Sequence, residues 1–209
     1  MIEIVKSQSK DAVATIQDFI MNQKHGIAYC VHDEKSVFMS DPSSINEEAC
    51  AEHGYMVLDT QHNGGVVVVS AGDVSVIHFG EVENDWMRRF AKYLIKRYKE
   101  KGLNATFEGN DVLIDGYKIS GLSAKQYGEV QYSTIHFGIN TDLDHIKEIC
   151  KKPMKKIPKG LSEYGITTEE AERMFLDYIE QEKRIEENKA KERHIPAWKA
   201  LEIILGGDV

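Results

Sequence analysis

Residues 110–121 read NDVLIDGYKISG. Val112 and Ile114 alternate with other positions ahead of Asp115-Gly116, and Tyr117, Ile119 and Gly121 alternate after it. Alternation on both sides of Asp-Gly predicts a tight hairpin, because this pair supplies the positive φ angles that a type I′ turn demands. Lys118 then stands on a strand just past a rigid turn, and Gly121 leaves room for something to approach the backbone. A fixed cation beside a gap suits an anionic ligand, although plain surface hairpins also carry lysines and glycines.

Working outward from this hairpin, residues 85–101 place Trp86, Phe90, Leu94 and Tyr98 on one stripe with Gly102 behind them, which predicts a long helix. Residues 56–58, 66–69 and 74–79 read as strands, and the four consecutive valines predict one covered on both faces. Residues 27–31 and 36–39 read as strand, turn and strand around His32-Asp33-Glu34-Lys35. Ser44 with Glu47 forms a capping box for a helix ending at Gly54, and Val13, Ile16, Phe19 and Ile20 predict an amphipathic helix over 10–22.

On the C-terminal side come a second hairpin at Tyr127-Gly128-Glu129 and a helix from Asp142 to about Lys152. Lys151, Lys152, Lys155, Lys156 and Lys159 then surround Pro153 and Pro158, a basic non-helical connector that reads as a solvated loop or as a mobile loop closing over phosphate. Thr167 and Glu170 cap a further helix with an apolar stripe of Ala171, Met174, Phe175, Tyr178 and Ile179, followed by a nearly all-charged stretch over 180–193. The predicted class is α/β (α+β): a central mixed or antiparallel sheet flanked by helices, with a helical C-terminal tail.

The chain has 209 residues, 42% hydrophobic and 29% charged, which is ordinary for one well-packed globular core. Its formal charge of −8 argues against a general nucleic-acid surface, which needs a basic face, but leaves room for a local basic pocket. With neither a signal-like N-terminus nor an apolar run of membrane-spanning length, the expectation is a cytoplasmic protein with no membrane partner. Cys30, Cys50 and Cys150 are odd in number and form no CxxC pair, so neither a disulfide framework nor a zinc site is indicated.

A second stretch, Gln61-His62-Asn63-Gly64-Gly65, pairs glycines between predicted strands, where backbone N–H groups approach anions or simply turn the chain. His78 and His136 lie in apolar strand contexts and read first as core or subsurface residues. Cys150 on an amphipathic helix reads first as packing.

Taken in order, Asn110-Asp111, an apolar run and Asp115-Gly116-Tyr117-Lys118-Ile119-Ser120-Gly121-Leu122-Ser123-Ala124 resemble the ND(L/I)-x-(V/I)-DG-x-KISG-x-A signature of the lipoate-protein ligase family. Biotin ligases and octanoyltransferases share looser versions of it. Residues 133–143, STIHFGINTDL, are similar in part to the family's H-x-G-x-L-L-x-x-x-D-L segment, and similar lysine-rich segments occupy the connector's place. Gly64 and Gly65, then Gly72 and Asp73, follow the layout of the family's glycine-rich loop and Gly-Asn turn. The family's arginine pair ahead of that loop is absent, Asp59-Thr60 and Gln61 standing there.

The resemblance implies a ligase-like catalytic domain over 1–160 and a helical extension over 161–209. It implies ATP-dependent formation of an acyl-adenylate from lipoic, octanoic or a related acid, and transfer to a lysine of a lipoyl-carrier-like acceptor protein. Lys118 would be catalytic. His62, Asn63, Gly64, Gly65, Gly72, Asp73, Asn110, Asp111, Gly121, Ser123 and His136 would bind the nucleotide or acid, with Asp111 acting through Mg²⁺ or a ribose contact. Two alternatives stand beside this: a non-catalytic acyl- or nucleotide-binding homologue, and an acyl-carrier-dependent transferase using Cys150, which lies near the octanoyltransferase nucleophile's place but lacks its Pro-Cys-Gly setting. Nothing in the sequence indicates an oligomeric state.

Overall fold

A computed structural model describes residues 4–7, 25–60, 65–81 and 85–192, together with Asp11, Ala14, Gln17, Asp18, Met21 and Asn22. Asp11, Ala14, Gln17, Asp18 and Met21 are helical, as the 10–22 pattern predicts, but the apolar Val13, Ile16, Phe19 and Ile20 lie outside the described residues. So do three expected site residues, His62, Asn63 and Gly64.

In chain order the elements are β1 (Ile4–Ser7), β2 (Gly26–Val31), β3 (Ser36–Met39), α1 (Glu47–Glu52), β4 (Met56–Asp59), β5 (Val67–Val69) and β6 (Val74–Glu81). Then follow α2 (Trp86–Glu100), β7 (Ala105–Glu108), β8 (Asp111–Ile114), β9 (Tyr117–Tyr127), β10 (Val130–Phe137), α3 (Leu143–Ile149) and α4 (Thr168–Glu192). Among the described residues the strands form a seven-stranded sheet, order β1-β2-β6-β10-β9-β8-β7, and a three-stranded sheet, order β4-β3-β5. The larger sheet is antiparallel except for the β1–β2 pair. This is the mixed sheet with flanking helices that the patterns predict.

One face of the larger sheet carries the main core. Val74, Val76, Val112, Ile114, Ile135 and Phe137 are buried there against Trp86, Phe90, Leu94 and Tyr98 of α2 and Ala171, Met174, Phe175 and Tyr178 of α4. Each strand contributes alternate residues, as the period of two requires, and each helix contributes its apolar stripe. The first turns of α4 thus share the sheet's own core, as does Leu161 ahead of them. His78 belongs to this side, fully stacked on Trp86 with ring centroids 5.1 Å apart, and burial holds its imidazole neutral, with a pKa of about 3.

The smaller sheet packs Val37 and Met39 on α1 and α3, together with Ile45, Ala49 and Ile149. Its valine strand differs from the expectation of cover on both faces. β5 is an edge strand, and Val67 and Val68 are half-buried. Four valines in a row report high strand propensity, which serves an edge as well as a centre. The cap of α1 also differs: Asn46 accepts from the Ala49 N–H, while Ser44 is drawn into a short 3₁₀ turn after Asp41 and Pro42. β1 and β7 are strands that the patterns did not mark.

Candidate ligand site

The hairpin forms as the Asp-Gly pair dictates, with Asp115 at φ 52° and Gly116 at φ 82°. Beyond the turn the pairing of β8 with β9 slips. Leu113 pairs with Lys118 but Val112 pairs with Ser120, which leaves Ile119 as the extra residue of a bulge. In an unbroken strand Lys118 and Gly121 would face opposite sides, since side chains alternate. The bulge sends Ile119 and Ser120 into the buried side and brings Lys118 and Gly121 to the same side. A Cβ built on Gly121 would lie 3.0 Å from both Cε and Nζ of Lys118. The glycine is therefore space that the lysine head group occupies.

Asp111 pairs directly with Gly121, and its Oδ1 lies 2.8 Å from Lys118 Nζ. Lys156 of the basic connector reaches the same carboxylate, 3.5 Å from Oδ2, while donating to the Glu108 carbonyl at 3.1 Å. The connector's end is bound in place. The Lys118 N–H donates to the Ile157 carbonyl at 2.9 Å, and the Lys159 N–H donates to the Lys118 carbonyl at 3.0 Å. Gly160 then packs so closely that a Cβ would meet the Ile139 carbonyl at 2.5 Å. Where β10 ends, residues 157–159 continue its role as the partner of β9, which fixes Lys156 at the carboxylate partner of Lys118, while the Lys159 ammonium turns to Glu163 and the rings of Tyr117 and Tyr164.

From Gly121 the register crosses the sheet through His136 on β10, Ser75 on β6 and Cys30 on β2. These residues share the face opposite the helices. Ser75 Oγ lies 3.1 Å from His136 Nδ1 and 2.8 Å from His32 Nε2, and His32 Nδ1 lies 3.7 Å from Cys30 Sγ. At the far side of His136, Nε2 is 3.4 Å from Asp73 Oδ2. His32 is buried and neutral, its pKa lowered to about 3 by burial first and by the proximity of His136 second. Ser75 and His136 are only half-buried although they sit on central strands, so this face is open above them. In the next row Ser123 and Thr134 share a hydrogen bond of 2.8 Å.

The smaller sheet meets this face at His32. Phe38 meets the His32 ring at 5.6 Å, edge to face. Leu58 and Val67, its partners in register, share its face and are half-buried. This cleft face thus has an apolar strip at the His32 end of its polar row and Lys118, Asp111 and Lys156 at the other end.

The structure brings Lys118, Asp111, Gly121 and His136 of the expected residues together, with Ser123 in the neighbouring row. Asn110 is exposed next to Asp111, its carbonyl accepting from the Leu122 N–H. Gly72 and Asp73 form a scaffold behind His136. Asp73 is buried and accepts from the N–H groups of Ser70, Ile139 and Asn140, while Gly72, at φ 90°, has Thr168 and Asn140 where a Cβ would go. Gly65 is exposed with open space around its Cβ position. Cys150 caps α3, and burial followed by the nearby Cys50 pushes its thiol above the ordinary range. The connector lysines that read as a loop closing over phosphate include Lys156, but no sequence pattern marks Ser75, His32 or Thr134 as part of the site. The trace they leave is a polar residue interrupting an apolar strand, as in Val74-Ser75-Val76, and its meaning depends on strands far apart in the chain.

Residues 36–182 match the lipoyl protein ligase A/B catalytic domain. No curated protein sequence matches the chain. Among solved structures it is similar to protein Ta0514 of T. acidophilum with bound lipoic acid, at 12% identity and TM-score 0.69 over 93% of this chain and 87% of that one. It is similar to lipoate-protein ligase A bound with ATP, at 13% identity and TM-score 0.67 over 83% and 81%. It is also similar to the bi-partite lipoate protein ligase studied with its E2 lipoyl domain from Thermoplasma acidophilum, at 15% identity and TM-score 0.68 over 93% and 84%. At these identities the likeness is one of fold.

Proposed function

This chain belongs to the lipoyl protein ligase A/B catalytic-domain family, and on that footing we propose that it activates lipoate, octanoate or a related acid with ATP and transfers the acyl group to a lysine of a lipoyl-carrier-type protein. The observation that carries this reading is the bulge that sets Lys118 beside side-chain-free Gly121, at the end of the polar row on the half-open face. The lipoic acid of one similar structure, the ATP of another and the E2 lipoyl domain of a third support it.

When a carboxylate attacks the α-phosphate, negative charge grows on the phosphoryl oxygens, and a positioned ammonium stabilises it most in a partly desolvated site. Lys118 is that group. Its partner Asp111 is half-buried, and phosphate oxygens entering beside Gly121 take over the ammonium while Lys156 retains the carboxylate. Phe38, Leu58 and Val67 offer an aliphatic chain a surface to leave water on.

The donors at Asp111 do not fit a protein-built magnesium site. One oxygen faces Lys118 and the other Lys156, and no group of three His, Cys, Asp or Glu gathers among the described residues. The thioester route through Cys150 is disfavoured by its raised thiol pKa, since the thiolate is the nucleophile.

The test is direct. Purified protein with ATP, Mg²⁺ and lipoate or octanoate should release pyrophosphate, and added lipoyl domain should gain the acyl mass on one lysine. Binding of a non-hydrolysable acyl-adenylate analogue without pyrophosphate release would turn the reading to a non-catalytic homologue. An acyl group trapped on Cys150 would turn it to a transferase.

A further inference from the structure

Ser75 stands between two histidines, and the donors and acceptors around it leave one consistent direction. The Asp73 carboxylate already accepts from three backbone N–H groups, of Ile139 at 2.6 Å, Ser70 at 2.8 Å and Asn140 at 3.2 Å, so it meets His136 as an acceptor. If His136 carried its proton on Nδ1, the lone pair of Nε2 would face that carboxylate at 3.4 Å, an unfavourable contact. With the proton on Nε2, the contact becomes attractive and Nδ1 becomes an acceptor. Ser75 Oγ–H then donates to His136 Nδ1, and the same oxygen must accept from His32 Nε2–H. His32 Nδ1 is left as acceptor for the Cys30 thiol. Every group finds a complementary partner in this direction. The reverse direction ends with a lone pair against a carboxylate.

We infer that Ser75, backed by His32, is a positioning residue that locks His136 in its Nε2–H tautomer, so that the ring presents a hydrogen-bond donor rather than a base at its Asp73 end. The two rings lie 6.0 Å apart and are bridged by a single hydroxyl, and buried His32 supplies the fixed N–H that orients it. The 3.4 Å separation from Asp73 exceeds that of a full hydrogen bond, so His136 Nε2–H retains capacity for an oxygen entering the half-open cleft. In the ligase reading that oxygen belongs to the acid being activated, and this use of the lock rests on that reading. The lock itself does not.

Long-range ¹H–¹⁵N correlation of the full chain labelled in histidine, at slightly alkaline pH, reads the tautomer directly, with the His136 signals assigned through His136→Asn. The expected result is a single Nε2–H tautomer in the wild type, loss of that uniform state in Ser75→Ala and its return in Ser75→Thr, which keeps the hydroxyl. In the pyrophosphate assay Ser75→Ala should lower kcat about tenfold, the equivalent of one misplaced hydrogen bond, and Ser75→Thr should restore it. An Nδ1–H tautomer in the wild type overturns the proposal even if Ser75→Ala does not fold. So does a tautomer state unchanged in Ser75→Ala. A wild type that shows the expected tautomer but releases no pyrophosphate with any acid refutes the ligase reading and leaves the lock standing.

Discussion

The two faces of the seven-stranded sheet are made by neighbouring residues of the same strands, and they are built to opposite ends. On β10, Ile135 and Phe137 are fully buried beneath the helices, while Thr134 and His136 between them are half-buried on the other side. On β6, Val74 and Val76 alternate with Ser75 in the same way. The helix-covered face removes apolar surface from water and fixes the strands. The cleft face uses that rigidity to hold polar groups in relative positions that exposed side chains on loops would not keep. The two sides should therefore respond differently to substitution, stability on one and chemistry on the other.

The largest effect belongs to the covered face. Phe137 is fully buried and meets Phe90 edge to face at 5.8 Å, so Phe137→Ala should destabilise the fold by about 3–5 kcal/mol, read as a lowered urea midpoint. A loss under about 1 kcal/mol would show that the helices do not carry the stability assigned to them here.

On the cleft face Lys118→Ala should leave the urea midpoint nearly unchanged, because the lysine's N–H and carbonyl, which bind the connector, survive the change. Its half-exposed ion pair with Asp111 is worth only about 0–1 kcal/mol to stability. Adenylation should fall by about a hundredfold, the usual loss when one electrostatic stabiliser is removed. Unchanged turnover would take Lys118 out of the mechanism.

The sequence displays the covered face well and the cleft face poorly, for a physical reason. Helix stripes and strand alternation are local, so Trp86, Phe90 and Leu94 or Val74 and Val76 announce their partners by period alone. The Asp115-Gly116 turn is equally local. The bulge is not, since alternation through Tyr117, Ile119 and Gly121 describes an unbroken strand that would place Lys118 and Gly121 on opposite faces. Only the connector, which binds Lys118 on the side β10 has vacated, makes the slip visible. The His32–Ser75–His136 chain is more remote still, with sequence separations of 43 and 61. The family signature pointed to His136 through motif order, but no local pattern names Ser75 or His32 as its supports.

Each face also buries a neutral histidine, which gives a pH test of the comparison. His78 on the covered side and His32 on the cleft side both have folded pKa values of about 3 against an ordinary 6.5, with burial the leading cause in each. Unfolding frees them to take up protons, so the unfolded chain binds more protons below pH 6.5 and stability falls as pH drops from about 6.5 toward 3. At pH 5 the loss should be about 2 kcal/mol for each group. Urea midpoints at pH 7.5 and pH 5 measure the slope, and His78→Phe and His32→Gln should each remove part of it. Only the His32 change should also disturb the His136 tautomer, since His78 lies on the other face.

The smallest effect falls at the boundary between the site and the connector, on Lys156. Its side chain is about one-quarter exposed, and its ammonium lies 3.4 Å from Glu108 and 3.5 Å from Asp111 while donating to the Glu108 carbonyl. It can thus meet a nucleotide phosphate only at the edge of its present contacts, whereas Lys118 points into the gap above Gly121. Lys156→Ala should raise the KM for ATP by roughly threefold and leave kcat unchanged, the pattern of lost uniform binding. Because salt screens a charge acting from a distance more than one in direct contact, that difference from wild type should shrink as salt is raised, while the Lys118 defect should persist. A fall in kcat comparable to that of Lys118→Ala would mean that the connector lysine shares the transition-state charge. The lysine on β9 and the lysine on the connector would then act as a pair.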